Sequence, residues 1–91
     1  MIELGVAFER NPELSWTEMD GEAVVLDAER GEYAGLGGIG GRIWELLAEP
    51  ITATELREII VTEFEVHPET CEQDLLAFLD QLLASDMIRR S

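Results

Sequence analysis

The sequence predicts an α+β fold in which a three-stranded antiparallel sheet is followed by three helices. The hydrophobic period changes once, near residue 38, from strand-like to helix-like. Turn residues at Asp20-Gly21 and Arg30-Gly31 punctuate the first part. Helix signals punctuate the second: Pro50, the capping box Thr52-Ala53-Thr54-Glu55, and Pro68.

Residues 5–9 read as a short strand or arm, and Asn11-Pro12-Glu13 as a turn. Residues 14–19 alternate apolar and polar, the pattern of a half-buried strand. Asp20 and Gly21 both tolerate positive φ, which suits a two-residue hairpin turn. The strand Glu22–Asp27 holds Ala23-Val24-Val25-Leu26 and is the more buried one. After a turn at Glu29-Arg30-Gly31 comes a short third strand, Glu32–Leu36, which runs directly into glycine. Such a strand is expected at a sheet edge, where unpaired backbone groups are either a liability or a binding surface.

The first helix is expected over 39–49, because Ile39, Ile43, Leu46 and Leu47 fall on one face and Trp44 widens it. Pro50 ends it. The second starts at the Thr52 cap, with a stripe of Leu56, Ile59, Ile60 and Phe64. The third starts at His67-Pro68, carries Glu69 and Glu72 near the positive end of its dipole, and runs to about residue 86. Its apolar residues form two neighbouring stripes: Cys71, Leu75, Phe78 and Leu82, then Leu76, Leu79, Leu83 and Met87. One stripe suffices for a helix on a small core, so the second either reaches deeper into the core or lines a groove. Met87-Ile88 closes the core or adds a short strand end, and Trp16 and Trp44 are expected as core anchors.

Ninety-one residues are expected to form one domain, 1–91, with a modest core. The charge is −14, from 20 acidic residues against 6 arginines and no lysine. Such a surface repels phosphate backbones and anionic lipid, so neither nucleic acid nor membrane is an expected partner. A single cysteine, Cys71, permits no internal disulfide. The N-terminal stretch has no basic segment followed by an apolar one, and no apolar run approaches membrane-spanning length, so the expected location is the cytoplasm.

Catalytic chemistry is sparse. His67 and Cys71 are the only histidine and cysteine, too few for a structural zinc site. A Cys–His nucleophile has no orienting third group or oxyanion donors in the sequence, and Cys71 reads as a small hydrophobe. The glycines of 35–41 precede a helix as a phosphate loop does, but they do not match its pattern. They read as joint geometry and close packing. No catalytic residue, metal or cofactor is expected. Asp74, beside the Cys71–Leu75–Phe78 stripe, is placed to meet a donor on a ligand, whereas Asp80 reads as solvated.

Three short strands followed by three helices suggest a winged-helix-like unit. Several motifs occur in order: Asp27-x-x-x-Gly31-x-Tyr33-x-x-Leu36, Gly40-x-Arg42-Ile43-Trp44-x-Leu46-Leu47, Pro50-x-Thr52-x-x-x-Leu56, Phe64-x-Val66 and Cys71-x-x-Asp74-x-x-x-Phe78-Leu79-x-x-Leu82. Together they resemble PqqD-like proteins, over nearly the whole chain. The family departs from this sequence in having Leu-Asn-Glu where Leu36-Gly37-Gly38 stands, and Asp where His67 stands. The resemblance implies a recognition element for ribosomally made precursor peptides (a RiPP recognition element) without catalysis of its own. It binds the leader as an added β-strand and brings it to a modifying enzyme. The chain looks most like the free-standing proteins of lasso-peptide pathways that partner a leader peptidase. The near alternative is a PqqD chaperone working with a radical enzyme in cofactor synthesis, and a DNA-binding winged helix is the third reading. The implied leader-binding residues are Glu32, Tyr33, Ala34, Gly35 and Leu36 on the edge, with Cys71, Asp74, Leu75, Phe78 and Leu82 as the facing wall.

Overall fold

The computed structural model describes residues 5–27 and 30–91. Glu29 of the second expected turn and residues 1–4 of the N-terminal stretch lie outside the described residues. The elements run β1 (Ala7–Arg10), β2 (Ser15–Met19), β3 (Glu22–Asp27), β4 (Glu32–Leu36), α1 (Gly38–Leu46), β5 (Ile51–Thr52), α2 (Ala53–Phe64), α3 (Pro68–Ala84) and β6 (Ile88–Arg90).

The expected meander is present as the sheet β2-β3-β4. Asp20 and Gly21 adopt φ of 53° and 82°, the two positive values of a type I′ hairpin. A second sheet, β5-β1-β6, was not expected. Its central strand pairs Phe8 with both Ile51 and Arg90, and Phe8 is fully buried. Glu9 and Arg89 face each other across β1 and β6 at 3.5 Å. Asn11 fastens the same corner: its amide donates to the Met87 carbonyl at 3.0 Å, and its side chain donates to the Asp86 carbonyl at 2.9 Å.

The core gathers Phe8, Val25, Trp44, Leu47, Leu56, Ile60 and Leu79 from both sheets and all three helices. Trp44 is buried, but Trp16 is not the core anchor that was expected, being 42% exposed. All of β2 lies on the surface. Trp16 closes edge-on over Trp44, with centroids 6.0 Å apart. The Arg10 guanidinium packs over both rings at 4.5 and 5.1 Å, while its Nε donates to the Trp44 carbonyl at 2.8 Å. Partial burial lowers the Arg10 pKa from its ordinary value, and Glu45 opposes that shift.

Helix α1 ends at Leu46, earlier than expected, because the chain tightens there: Ala48 N–H donates to the Glu45 carbonyl three residues back. The Thr52 capping box forms, with Thr52 accepting from the Glu55 amide and Glu55 accepting from the Thr52 amide. Leu56 and Ile60 of its stripe are buried, whereas Phe64 is 39% exposed on the last turn, before left-handed Glu65. Helix α3 begins with Pro68 at its first position, and His67 caps it with backbone alone. Arg57–Glu72 at 2.7 Å ties α2 to α3, and Arg42–Glu63 at 2.8 Å ties α1 to α2.

Candidate functional site

Strand β4 is an edge of its sheet. The register shows which of its backbone groups are free. In a type I′ hairpin the residues flanking the turn exchange both hydrogen bonds, so Met19↔Glu22 is a bonded pair. Bonded and non-bonded pairs then alternate, giving Thr17↔Val24 and Ser15↔Leu26 as bonded pairs. Ala23, Val25 and Asp27 therefore turn their N–H and C=O groups the other way, to Leu36, Ala34 and Glu32 of β4. What remains on the free edge are the N–H and C=O groups of Tyr33 and Gly35.

A groove of about 420 Å³ opens where β4 passes into α1. Ile39, Gly40 and Ile43 of α1 form one wall; Cys71, Asp74, Leu75 and Phe78 of α3 form the other. Ile60, Val66 and Thr70 complete it. The lining is apolar save for the Asp74 carboxylate and the Thr70 hydroxyl. Helix and strand sit this close because of glycine. A Cβ on Gly41 would stand 2.8 Å from the Leu36 carbonyl oxygen, and one on Gly40 would meet the Phe78 ring at 3.5 Å.

Of the α3 residues singled out from the sequence, Cys71, Asp74, Leu75 and Phe78 line the groove together. Leu82 does not: it lies outside the groove lining and packs in the core. The two apolar stripes are thus shared differently from either reading of the sequence. Cys71, Leu75, Leu79 and Leu82 face the core, and α3 borders the groove only between Thr70 and Phe78. The α1 contribution was missed. Its one legible signal is Ile39, an isolated large apolar residue among glycines at a helix start, here 38% exposed. Burial pushes the Cys71 thiol above its ordinary pKa; nearby Arg57 opposes this and Asp74 adds to it. His67 stays exposed, so it does not share the floor of the groove with Cys71.

Residues 22–88 match the family model of PqqD, the coenzyme PQQ synthesis protein D. The chain belongs to the PqqD family. Among solved structures, this PqqD-family chain is similar to TbiB1 in complex with the TbiA(beta) leader peptide. The identity is 32% and the TM-score 0.79, over 89% of this chain and 94% of that one. It is also similar to a lasso peptide synthetase B1 complexed with the leader peptide, at 27% identity and TM-score 0.78, over 90% of this chain and 96% of that one. No curated protein matches it. The winged-helix-like order of sheet and helices is thus that of the PqqD fold.

Proposed function

We propose that this PqqD-family domain binds the leader segment of a ribosomally made precursor peptide by β-strand addition and delivers it to a processing enzyme. The observation that carries this reading is the pairing of a free edge with an apolar groove. Tyr33 and Gly35 offer unpaired backbone donors and acceptors, and the groove lining begins at Ile39, three residues beyond the end of β4. Main-chain bonds would fix the register, while alternate side chains of the added strand enter the groove. Its size and single flanking carboxylate fit an apolar or aromatic side chain with a donor at its tip. In this reading Glu32, Tyr33, Ala34, Gly35 and Leu36 are the docking edge, and Cys71, Asp74, Leu75 and Phe78 the grip.

The likeness to two leader-bound B1 proteins supports the leader of a lasso-peptide precursor as ligand; in this reading the enzyme served is the leader peptidase. The chain works as a non-catalytic carrier in the cytoplasm. A PqqD role beside a radical enzyme is the second reading, favoured by the family match itself. Nucleic acid is disfavoured by α3, which carries Glu69, Glu72, Asp74 and Asp80 where a recognition helix needs cations.

Titration of isotope-labelled protein with a synthetic leader from the precursor encoded beside it tests the proposal. Binding at micromolar concentration with amide shifts at Tyr33 and Gly35 is expected. Absence of binding at tens of micromolar, or shifts confined elsewhere, would overturn it. Co-purification with the neighbouring peptidase, as against a radical enzyme, separates the two partner readings.

A further inference from the structure

We propose that Glu22 is a specificity-determining residue of the docking edge: its carboxylate takes a lysine or arginine side chain that the bound peptide presents beside Gly35, on the sheet face away from the core. This rests on the strand-addition reading above.

Side chains alternate across a sheet, so β4 turns Ala34 and Leu36 to the core side and Tyr33 and Gly35 outward. Gly37 continues the outward row. Along this face, then, the edge strand carries one large side chain, Tyr33, followed by a bare stretch. Glu22 lies on the neighbouring strand, on the same face as Val24, the partner of Gly35. Its carboxylate extends over the bare stretch toward the free edge. The Glu22 Oε1 stands 4.0 Å from where a Gly35 Cβ would be and 2.8 Å from where a Gly37 Cβ would be. A side chain at position 37 would collide with it. Neither Gly35 nor Gly37 has a positive φ, so their backbone conformation does not demand glycine. The missing side chains make room for the Glu22 carboxylate.

Among the described residues, Glu22 has no ion pair and its carboxylate accepts no hydrogen bond. Glu18, Asp20 and Glu32 of the same meander also lack an ion pair among the described residues, but it is the Glu22 carboxylate that lies against the Gly35 and Gly37 positions. A strand added to β4 lies about 4.8 Å further out. Its outward side chain beside Gly35 meets the glycine surface first and the carboxylate next. Lysine and arginine match this arrangement, with an apolar stem for the surface and a cationic head for the acceptor. The chain's charge of −14 attracts the same side chains during encounter. Tyr33, 75% exposed and two residues along the same face, offers its ring to the next outward side chain.

The test is selection of a displayed library of random 12-residue peptides against three full-length proteins: wild type, Glu22→Gln and Glu22→Arg. Glu22 is exposed, so all three should fold, which circular dichroism checks. Wild type should enrich a pattern of apolar residues with one lysine or arginine on the opposite parity. Glu22→Gln should lose that basic preference, and Glu22→Arg should replace it with aspartate or glutamate, the apolar positions staying unchanged. A selected basic peptide should bind Glu22→Gln roughly three- to fivefold more weakly at low salt, the scale of one exposed charge pair. The same basic preference in all three selections, or none in wild type, overturns the assignment of Glu22. No enrichment at all, or selected peptides that leave the Tyr33 and Gly35 amides unshifted, overturns the strand-addition reading beneath it and the assignment with it.

Discussion

Gly40 and Gly41 are neighbours on α1 under opposite constraints. A Cβ on Gly41 would press on the Leu36 carbonyl at 2.8 Å, a backbone atom that cannot move aside, while one on Gly40 finds ordinary contact with Phe78 at 3.5 Å. Gly41→Ala should therefore destabilise the fold by about 1–3 kcal/mol in urea denaturation, as overpacking does. Gly40→Ala should stabilise it by roughly 0.5–1 kcal/mol through helix propensity. Gly40→Leu should fold yet bind leader at least tenfold more weakly, because its side chain enters the groove. Cys71 makes a second residue-scale test. Its thiol is held above the ordinary thiol range by burial, so in the unfolded chain it ionises first as pH rises. The folded state then binds more protons than the unfolded one, and stability falls from the ordinary thiol pKa up to the raised one. Denaturation at pH 7 and 9.5 should show this alkaline loss in wild type and a smaller one in Cys71→Ala. A disulfide reagent should react slowly with the folded protein at neutral pH, and more slowly still once peptide fills the groove.

At the scale of elements, β4 has two kinds of backbone position in alternation. Gly35 turns its N–H to the open edge, while Ala34 gives its N–H to β3. Gly35→Pro should abolish leader binding and leave the melting temperature close to wild type. Ala34→Pro should lower stability by about 1–3 kcal/mol more, since it removes a ladder bond. Equal damage from both would reverse the parity derived from the hairpin. That parity rests on Asp20-Gly21, a signal legible in the sequence because turn chemistry is local. The Thr52 capping box and Pro68 were legible for the same reason. Strand β5 was not: Ile51-Thr52 is too short to show a period and is a strand only because β1 pairs with it. At Met87-Ile88 a strand end was one of two readings, and the pairing of β1 with Ile88–Arg90 decides for it. Helix periodicity placed Phe78 and Leu82 on one stripe, whereas the structure sets Phe78 at the groove and Leu82 in the core. Periodicity carried no information about which neighbour covers each, so Leu82 was read as groove wall when the core covers it.

Across the whole molecule, the charge of −14 is carried by a surface with few cations, several of them already paired. Association with a basic peptide should slow several-fold between 50 and 300 mM salt in stopped-flow measurements, while a neutral peptide with the same apolar residues should change little. No helix among the described residues is long and apolar enough to cross a membrane. The groove is bounded by α1, α2 and α3, and none of its lining residues comes from β1, β5 or β6. That separation matters for the small sheet. The Ser91 amide donates to the Ala7 carbonyl at 3.0 Å, so the first strand and the last residue are stitched together. Anything covalently joined before β1 or after β6 therefore hangs from a single point. A tethered enzyme would reach the bound peptide across the same distance whichever end carried it, and swapping the order of such a fusion should leave its effective local concentration nearly unchanged.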